Sequence, residues 1–214
     1  KDNVTKLIEE INKICKDVDI LVVDDNSPDN TAEILGNLQK ANQNLHIIIR
    51  EKKLGLDTAH KLAYDYSKKN NYLKLITMDA DLSHNPIEIP KIISLLNNKD
   101  FVIGSRYILG GKCEMPLPRL ILSIAGNKII KNVLGLKCNE FTTSFRGFNL
   151  EKLNNFDLNS VKSKGYSFFM ETIYRLNNQG FEIYEIPIYF RNRNQGKSKI
   201  NKIEIFRTIK NLFL

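Results

Sequence analysis

Two short acidic clusters in this sequence could carry chemistry, because each directly follows an apolar run. Asp79 and Asp81 follow the run 73–78, with Ala80 between them. Carboxylate oxygens are the ligands that hard divalent cations prefer, so this pair predicts a site for Mg²⁺ or Mn²⁺ and for the phosphates that such ions bind. Asp79 and Asp81 are separated by one residue, so they would point to the same side of an extended strand, and the turn predicted after Asp79 must keep both acids near one ion. A pair of solvated turn aspartates explains the same residues equally well.

The second cluster is Asp24-Asp25, which ends the β-branched run 20–23. At the end of a strand these carboxylates could accept hydrogen bonds from the base or ribose of a nucleotide. An Asx turn followed by a helix N-cap explains the same residues, and the cluster alone favours that interpretation. Asn30 and Glu33 have the spacing of a capping box, which predicts that a helix begins there.

The elements that must position these clusters follow from the pattern of apolar residues. Helical spacing predicts an amphipathic helix at the start of the chain, and helices alternate with short apolar strands after it. The strands are predicted at 20–23, 46–49, 73–78 and 101–103. This alternation predicts an α/β fold with a mostly parallel, Rossmann-like sheet covered by helices on both faces. Because ligands bind at the carboxyl ends of strands in such sheets, the two acidic clusters can share one rim.

Composition and charge limit the classes of function. The 214 residues are 42% hydrophobic, as in a globular protein, and the net charge of +8 favours anionic partners such as phosphates, nucleic acid or an acidic leaflet. No apolar run approaches the roughly 18 residues of a spanning helix, so a soluble or peripheral protein is expected. The three cysteines lack paired spacing, which predicts neither a disulfide framework nor a zinc site and fits a reducing compartment. His46, His60 and His84 are expected at the surface or in loops rather than as metal ligands.

The order and spacing of several segments resemble the GT-A-fold family 2 glycosyltransferases, and within them the dolichol-phosphate mannosyltransferases. The likeness covers nearly the whole chain, and DADLSH and the late RxxGxSK segment are more specific than the DxD pair alone. The matching segments are VVDDNSPDNT at 22–31, REKKLGLDTAHK at 50–61, ITMDADLSHNP at 76–86, IGSRY at 103–107, RLILSIAGN at 119–127, TTSFR at 142–146, GYSFFME at 165–171 and RNQGKSK at 193–199.

The resemblance implies inverting transfer of mannose from GDP-mannose to dolichyl or polyprenyl phosphate for protein glycosylation, with Mg²⁺ or Mn²⁺ held by the DxD aspartates. The residues that it implies for the donor are Asp24, Asp25, Arg50, Lys53, Asp79, Ala80, Asp81, Arg193 and Lys199. The residues that it implies for the acceptor phosphate are Arg106, Arg119, Ser123 and Arg146. The residues that it implies for catalysis are Asp79, Asp81, Arg106 and Arg119.

The resemblance also implies an organisation and a location. A single domain at 1–214 would comprise a nucleotide-sugar half at about 1–110, an acceptor half at about 111–200 and an amphipathic terminal helix at about 200–214. Its place would be cytoplasmic, peripheral on the cytosolic face of a membrane: the endoplasmic reticulum of a eukaryote or the plasma membrane of a prokaryote. Small membrane-anchoring subunits are candidate partners, and nucleic acid is not.

The chemistry can also be argued from the reactants. A phosphate monoester has a second pKa of about 6, so a lipid phosphate is largely deprotonated near neutrality and needs no general base. A site without a catalytic histidine is therefore predicted. Two anionic reactants must meet while the leaving diphosphate gains charge, and a cation with fixed guanidinium groups would offset both effects.

The sequence departs from the family pattern in three places. A strand is expected immediately before the helix that opens at Lys1, and it is absent from the 214 residues. Asp57 stands where the second glycine of GLG is usual and Glu140 where aspartate is usual, so the loops there are expected to differ. The sequence ends at Leu214 within a predicted helix, where some relatives continue into membrane spans.

Three other functions fit parts of the sequence. A polyprenyl-phosphate glucosyltransferase, or another family 2 glycosyltransferase, differs only in contacts that the motifs do not specify. A non-catalytic membrane-surface adaptor would keep the basic terminal helix without needing Asp79 or Asp81. A nucleic-acid-binding domain would share the net charge, but acidic strand ends repel phosphate unless a metal intervenes.

Overall fold

A computed structural model describes residues 2–191, so Arg193, Lys199 and the predicted terminal helix at 200–214 lie outside the described part. The helices and strands alternate through the first half, as the sequence predicts. The helices are α1 Asp2–Ile14, α2 Thr31–Ala41, α3 Leu56–Lys69, α4 Ile89–Leu95, α5 Leu117–Leu134 and α6 Tyr166–Asn178. The strands are β1 Ile20–Asp24, β2 Leu45–Ile49, β3 Lys74–Thr77, β4 Phe101–Ser105, β5 Lys112–Cys113, β6 Arg146–Asn149, β7 Ile183–Pro187 and β8 Tyr189–Phe190.

The strands of the described residues form three groups. β1 and β2 pair in parallel, with Ile20 opposite Leu45. A four-stranded sheet has the order β3-β6-β4-β7, in which β6 runs antiparallel to both neighbours and β7 runs parallel to β4. The short strands β5 and β8 form a parallel pair. The predicted α/β class with mostly parallel strands is confirmed, and the antiparallel β6 is a feature that the apolar pattern did not reveal.

Helices cover both faces of the four-stranded sheet, as predicted. Successive residues of a strand point to opposite faces. Phe101 and Ile103 of β4 accordingly pack in a core with α3 and α6, whereas Val102 packs with α1 and α4. The first core is strongly aromatic, and the rings of Phe101 and Phe148 meet edge to face at 4.9 Å. The sheet is therefore a rigid platform for the loops at its ends.

A cavity of about 990 Å³ separates β1 from β3. Residues of both strands line it, together with the apolar face of α1. Within residues 2–191 neither strand has a partner on the edge that faces the cavity. The gap coincides with the place where the family pattern expects a further strand, because a strand joined to β1 through α1 would lie beside β1. The two strands that flank this cavity are those that lead into the acidic clusters.

Candidate active site

The first acidic cluster closes a tight turn at the end of β1. Asp24 is buried, and its carboxylate accepts hydrogen bonds from the backbone N–H of Ser27 at 3.0 Å and from its hydroxyl at 2.6 Å. Asn26 adopts a left-handed conformation with φ 57°. The Asx-turn interpretation therefore describes Asp24 well. The capping box is wrong, because Asn30 has φ 61° and its side chain makes no capping hydrogen bond.

Asp25 contributes the carboxylate that faces outward from this turn. Arg50, at the end of β2, donates from Nε to Asp25 Oδ1 at 2.5 Å and from Nη1 to Thr58 Oγ1 at 2.6 Å. The Arg50 side chain is only 9% exposed, whereas that of Asp25 is 26% exposed. Arg50 thus ties the end of β2 to the start of α3 and holds Asp25 at the rim. Lys53 is exposed on the loop that joins β2 to α3.

The start of α3 connects the first acidic cluster to the second. His60 lies two residues after Thr58, lines the cavity together with Asp79 and packs edge to face on Phe169 at 5.0 Å. Burial and the nearby Arg146 cation lower the pKa of His60 to about 4, although Asp79 acts in the opposite direction. The imidazole is therefore neutral near neutral pH. The start of α3 thus contacts Arg50 through Thr58 and lines one cavity with Asp79 through His60.

The second cluster, Asp79-Ala80-Asp81, turns sharply after β3. Asp81 Oδ1 accepts a hydrogen bond from the Ser83 backbone N–H at 3.0 Å and another from the Ser83 hydroxyl, and Leu82 has φ 65°. Asp79 and Asp81 are both partly exposed, and Ala80 is exposed. The Asp81 carboxylate is therefore held in place by the turn itself.

His84 fixes this turn from the inside. It lies in a loop, as predicted, but its side chain is 1% exposed and therefore is not at the surface. The backbone N–H of Asp79 donates to Nδ1 at 3.2 Å, which leaves the proton on Nε2 to face Thr143 Oγ1 at 3.3 Å. Burial lowers the pKa of His84 despite the opposing charges of Asp79 and Asp81. The sequence feature that could have indicated this role is the position of His84, three residues after Asp81.

The donor set of the DxD turn fits a hard divalent cation. Within residues 2–191, no three His, Cys, Asp or Glu side chains are grouped so that they could hold a metal ion by themselves. Asp79 and Asp81 could supply two carboxylates, and the other ligands would have to be phosphate oxygens and water. Mg²⁺ typically binds in this way, through one or two carboxylates and substrate phosphates.

Arg106 follows β4 and is clamped by a buried acid. It donates from Nε and Nη2 to the two carboxylate oxygens of Glu140 at 2.6 and 2.7 Å, and from Nη2 to Thr142 Oγ1 at 2.8 Å. Burial by itself would raise the pKa of Glu140. The charge and hydrogen bonds of Arg106 outweigh this effect, and the pKa of Glu140 is lowered. The guanidinium also lies between the rings of Tyr107 and Phe190, at 4.9 and 5.2 Å. Glu140 therefore fills the usual aspartate position with a longer side chain that holds Arg106 in a fixed orientation.

Ser123 and Arg119 lie one turn apart on α5, beside this ion pair. The hydroxyls of Ser123 and Tyr107 are 2.6 Å apart. Arg119 Nε is buried and has no hydrogen-bond partner within residues 2–191. Asn127 anchors the same helix, because its Oδ1 accepts a hydrogen bond from the Phe141 N–H at 2.8 Å. Arg119 is thus a cation near the Arg106 site with an uncommitted donor.

Arg146 does not lie with the other predicted phosphate ligands. It is 1% exposed, and its guanidinium donates to the backbone carbonyls of Phe141, Thr143 and Phe169. The ring of Phe169 stacks on it at 4.6 Å. The prediction of an acceptor-phosphate contact is corrected, because an enclosed guanidinium whose three nitrogens each donate to a backbone carbonyl cannot reach a ligand at the rim. Burial lowers its pKa to about 9.

Asp57 and Glu171 are not among the site residues that the sequence predicts, but both accept backbone hydrogen bonds from the loop before α6. Asp57 is buried, and Oδ1 accepts a hydrogen bond from the Gly165 N–H at 3.2 Å. Glu171 accepts from the N–H groups of Lys162 and Ser163. The acid at the usual glycine position therefore tethers the loop before α6 to the start of α3.

The sequence and the fold of this chain both resemble those of known proteins. The Glycosyl transferase family 2 profile matches residues 1–156. A polyprenol monophosphomannose synthase of Mycolicibacterium smegmatis is 35% identical over 204 residues, which are 94% of this chain and 77% of that protein.

Two solved structures share the fold at much lower identity. The glucosyl-3-phosphoglycerate synthase of Mycobacterium tuberculosis, in complex with Mn²⁺ and UDP-glucose, is 14% identical with a TM-score of 0.62 and covers 98% of this chain and 74% of that chain. A mannosyltransferase from Pyrobaculum calidifontis, in complex with GDP-Man and Mn²⁺, is also 14% identical, with a TM-score of 0.53, and covers 87% of this chain and 51% of that chain. The family match over most of the sequence, the relative at 35% identity and the shared fold lead to one conclusion: this chain belongs to glycosyl transferase family 2 and is a glycosyltransferase.

Proposed function

We propose that this glycosyltransferase moves mannose from GDP-mannose to the phosphate of a polyprenol, with inversion at the anomeric carbon. The observation that carries the proposal is the pairing of an acidic rim that suits a cation-bound diphosphate with a neighbouring set of arginines beside an apolar helix. The name of the Mycolicibacterium smegmatis relative supports both the sugar and the class of acceptor. The bound GDP-Man of the Pyrobaculum calidifontis neighbour makes a guanosine donor a reasonable choice.

The donor would lie across the two acidic clusters. Asp25, held by Arg50, is the carboxylate that can accept hydrogen bonds from the nucleoside, while Asp24 is occupied by the turn and shapes that side of the pocket. Lys53 and Ala80 border the same rim. Arg193 and Lys199 lie outside the described residues, and their contact with donor phosphates remains part of the proposal.

Asp79 and Asp81 would hold Mg²⁺ or Mn²⁺ together with the diphosphate. When bound, such an ion neutralises charge that develops on the leaving diphosphate. The protein's own task is to hold the DxD turn, through the Ser83 hydrogen bonds to the Asp81 carboxylate and the hydrogen bond from the Asp79 backbone N–H to His84. His60, which lines the cavity, and His84, which lies behind the DxD turn, both have lowered pKa values, so they are neutral near neutral pH and add no positive charge to the site.

The acceptor phosphate would lie between Arg106 and α5. Arg106 is held by Glu140, Arg119 has an uncommitted Nε–H, and the Ser123 hydroxyl faces Tyr107. Because guanidinium groups bind phosphate oxygens through fixed, planar donors, these residues can present the deprotonated phosphate to the sugar without a general base. In this proposal most donor residues come before about 110 and most acceptor residues after it, except that Arg106 belongs to the acceptor side and Arg193 and Lys199 to the donor side.

A direct assay tests the proposal. The full chain would be incubated with labelled GDP-mannose and polyprenyl phosphate, with and without a chelator, and lipid-linked label would be measured. We expect chelator-sensitive transfer, and we expect UDP-glucose and UDP-N-acetylglucosamine to give much less product. Equal or better transfer from UDP-glucose would replace the mannosyl assignment, and no transfer from any donor would contradict the catalytic proposal.

A further inference from the structure

The short strand β8 joins two parts of the candidate site that come from distant segments. It pairs in parallel with β5, and the N–H of Glu114, just after β5, donates to the Phe190 carbonyl at 3.0 Å. The next residue, Arg191, donates its N–H to the carbonyl of Ser83 at 3.0 Å. The chain at β8 is therefore hydrogen-bonded both to the segment that leads into α5 and to the DxD turn.

The side chain of Phe190 makes the same connection. It is half-buried, and its ring meets the His84 ring edge to face, with centroids 5.4 Å apart and planes at 72°. The guanidinium carbon of Arg106 lies 5.2 Å from the centre of the same ring. Within residues 2–191, no other aromatic ring stacks on both His84 and Arg106. One apolar ring therefore separates the imidazole that supports the DxD turn from the guanidinium of the acceptor side.

The strand ladder by itself does not fix the distance between these two groups. His84 follows β3 and accepts the Asp79 N–H, whereas Arg106 follows β4 and is held by Glu140. The strands β3 and β4 are not neighbours, because β6 lies between them in the sheet. Contacts beyond the ladder must therefore set the position of one group relative to the other.

The loop before β6 supplies part of that connection. Thr143 Oγ1 faces His84 Nε2 at 3.3 Å, and Thr142 Oγ1 accepts from Arg106 Nη2 at 2.8 Å. These short hydroxyl side chains each hold one nitrogen of one group, whereas the Phe190 ring packs against both groups at once. Removing that ring should change their separation without removing either hydrogen bond.

We propose that Phe190 is a positioning residue that sets the distance between the DxD turn and Arg106 for the transfer step. This inference rests on the proposed function, in which the cation-bound diphosphate lies at the turn and the acceptor phosphate at Arg106. Reacting atoms must approach to about 3–3.5 Å, and a misplacement of about 1 Å can slow a reaction about a hundredfold. Because each ligand can still bind its own cluster, the loss belongs in kcat rather than in KM.

Transfer kinetics of the full chain test this role. Phe190→Leu keeps an apolar side chain but removes the ring, and it should lower kcat about 10- to 100-fold while both KM values stay within about threefold of wild type. Phe190→Tyr keeps the ring and should restore kcat to within about threefold of wild type. The matched control is Tyr184→Leu, which also removes a ring 5.2 Å from a cation, that of Lys99, and should leave kcat unchanged.

A second measurement reports the distance without any turnover. The full chain would be loaded with Mn²⁺ and GDP, which carries no sugar to transfer, and with a short, water-soluble prenyl phosphate. Bound Mn²⁺ accelerates the phosphorus NMR relaxation of the prenyl phosphate, and this effect decreases steeply with distance. At equal occupancy of both ligands, we expect weaker relaxation in Phe190→Leu and wild-type relaxation in Tyr184→Leu.

The outcomes separate this inference from the proposed function. Wild-type kcat and relaxation in Phe190→Leu would overturn the positioning role, as would a rise in acceptor KM alone, because Phe190 would then only support Arg106. A loss of kcat that matches a loss of folded protein by circular dichroism would also overturn it. If wild type transfers no sugar but its phosphate relaxation weakens in Phe190→Leu, the proposed function fails and the positioning role stands. Absence of both transfer and relaxation in wild type would overturn both.

Discussion

The acidic rim and the cationic side of the site use their charges in different ways. At the rim, Asp25, Asp79 and Asp81 remain partly exposed at strand ends. On the other side, Arg106 is clamped by Glu140 and Arg146 is enclosed by backbone carbonyls. The comparison teaches that the acids are placed for a ligand, whereas most of the arginines are first of all parts of the structure. Arg119 is the exception, because its buried Nε has no partner within residues 2–191.

The largest expected effect is the loss of Asp81. Asp81→Ala should lower transfer by about a thousandfold or more, because a preorganised charge at the reacting centre is removed. Asp81→Asn keeps an oxygen for the Ser83 hydrogen bonds, so a comparable loss in that variant would assign the effect to charge rather than to the turn. Turnover and circular dichroism should be measured together, with the exposed Glu151→Gln as a charge control. Near-normal turnover in Asp81→Asn would remove the acidic rim from the mechanism.

A stability measurement tests whether Arg106 is structural. Glu140→Gln should lower the unfolding free energy by about 3–5 kcal/mol, since it leaves a buried guanidinium without its counterion. The control Glu182→Gln breaks the exposed pair with Lys99 and should cost about 1 kcal/mol or less. Urea unfolding curves of the two variants and wild type would give both losses of free energy, provided that the dependence on urea concentration has the same slope in all three proteins. Equal losses in the two variants would mean that the Arg106 pair contributes no more than a surface pair.

Arg119 should affect the acceptor rather than the donor. Arg119→Ala should raise the KM for polyprenyl phosphate roughly 10- to 100-fold, because a hydrogen bond to a charged group contributes about 1.5–3 kcal/mol. Donor affinity, measured by titration with GDP-mannose, should change little. Lys128→Ala, on the exposed side of the same helix, is the control. A weaker donor affinity with an unchanged acceptor KM would place Arg119 on the other side of the site.

The smallest effect concerns His60, which lies within the fields of both Asp79 and Arg146. Its pKa is lowered from 6.5 to about 4, so between these values the unfolded chain binds more protons and stability rises with pH. We expect the unfolding free energy to fall by about 1–2 kcal/mol as the pH decreases from 6.5 to 4. His60→Phe keeps the contacts with Phe168 and Phe169 and should flatten this dependence. An identical pH profile for the two proteins would show that His60 does not titrate differently on folding.

Local patterns predicted the strands, the α/β class and both acidic turns, because strand periodicity and turn-forming residues act over a few neighbouring positions. They did not reveal that β6 is antiparallel, since strand direction depends on the long connection from β4 to β6. They also did not reveal that His84, in the loop after β3, is buried against Phe145 and Phe190 from distant segments. Its neutral imidazole could be identified only once Asp79 and Thr143 were seen on its two nitrogens.

By itself the sequence determined the chemistry that this protein offers: carboxylates at two strand ends and cations later in the chain. Only the tertiary structure decided which charges a ligand can reach. Glu140 and Arg106 are 34 residues apart in sequence, and the carbonyls that enclose Arg146 come from two different segments. The availability of a charge depends on burial and on partners brought together by long-range folding, and a linear pattern carries neither.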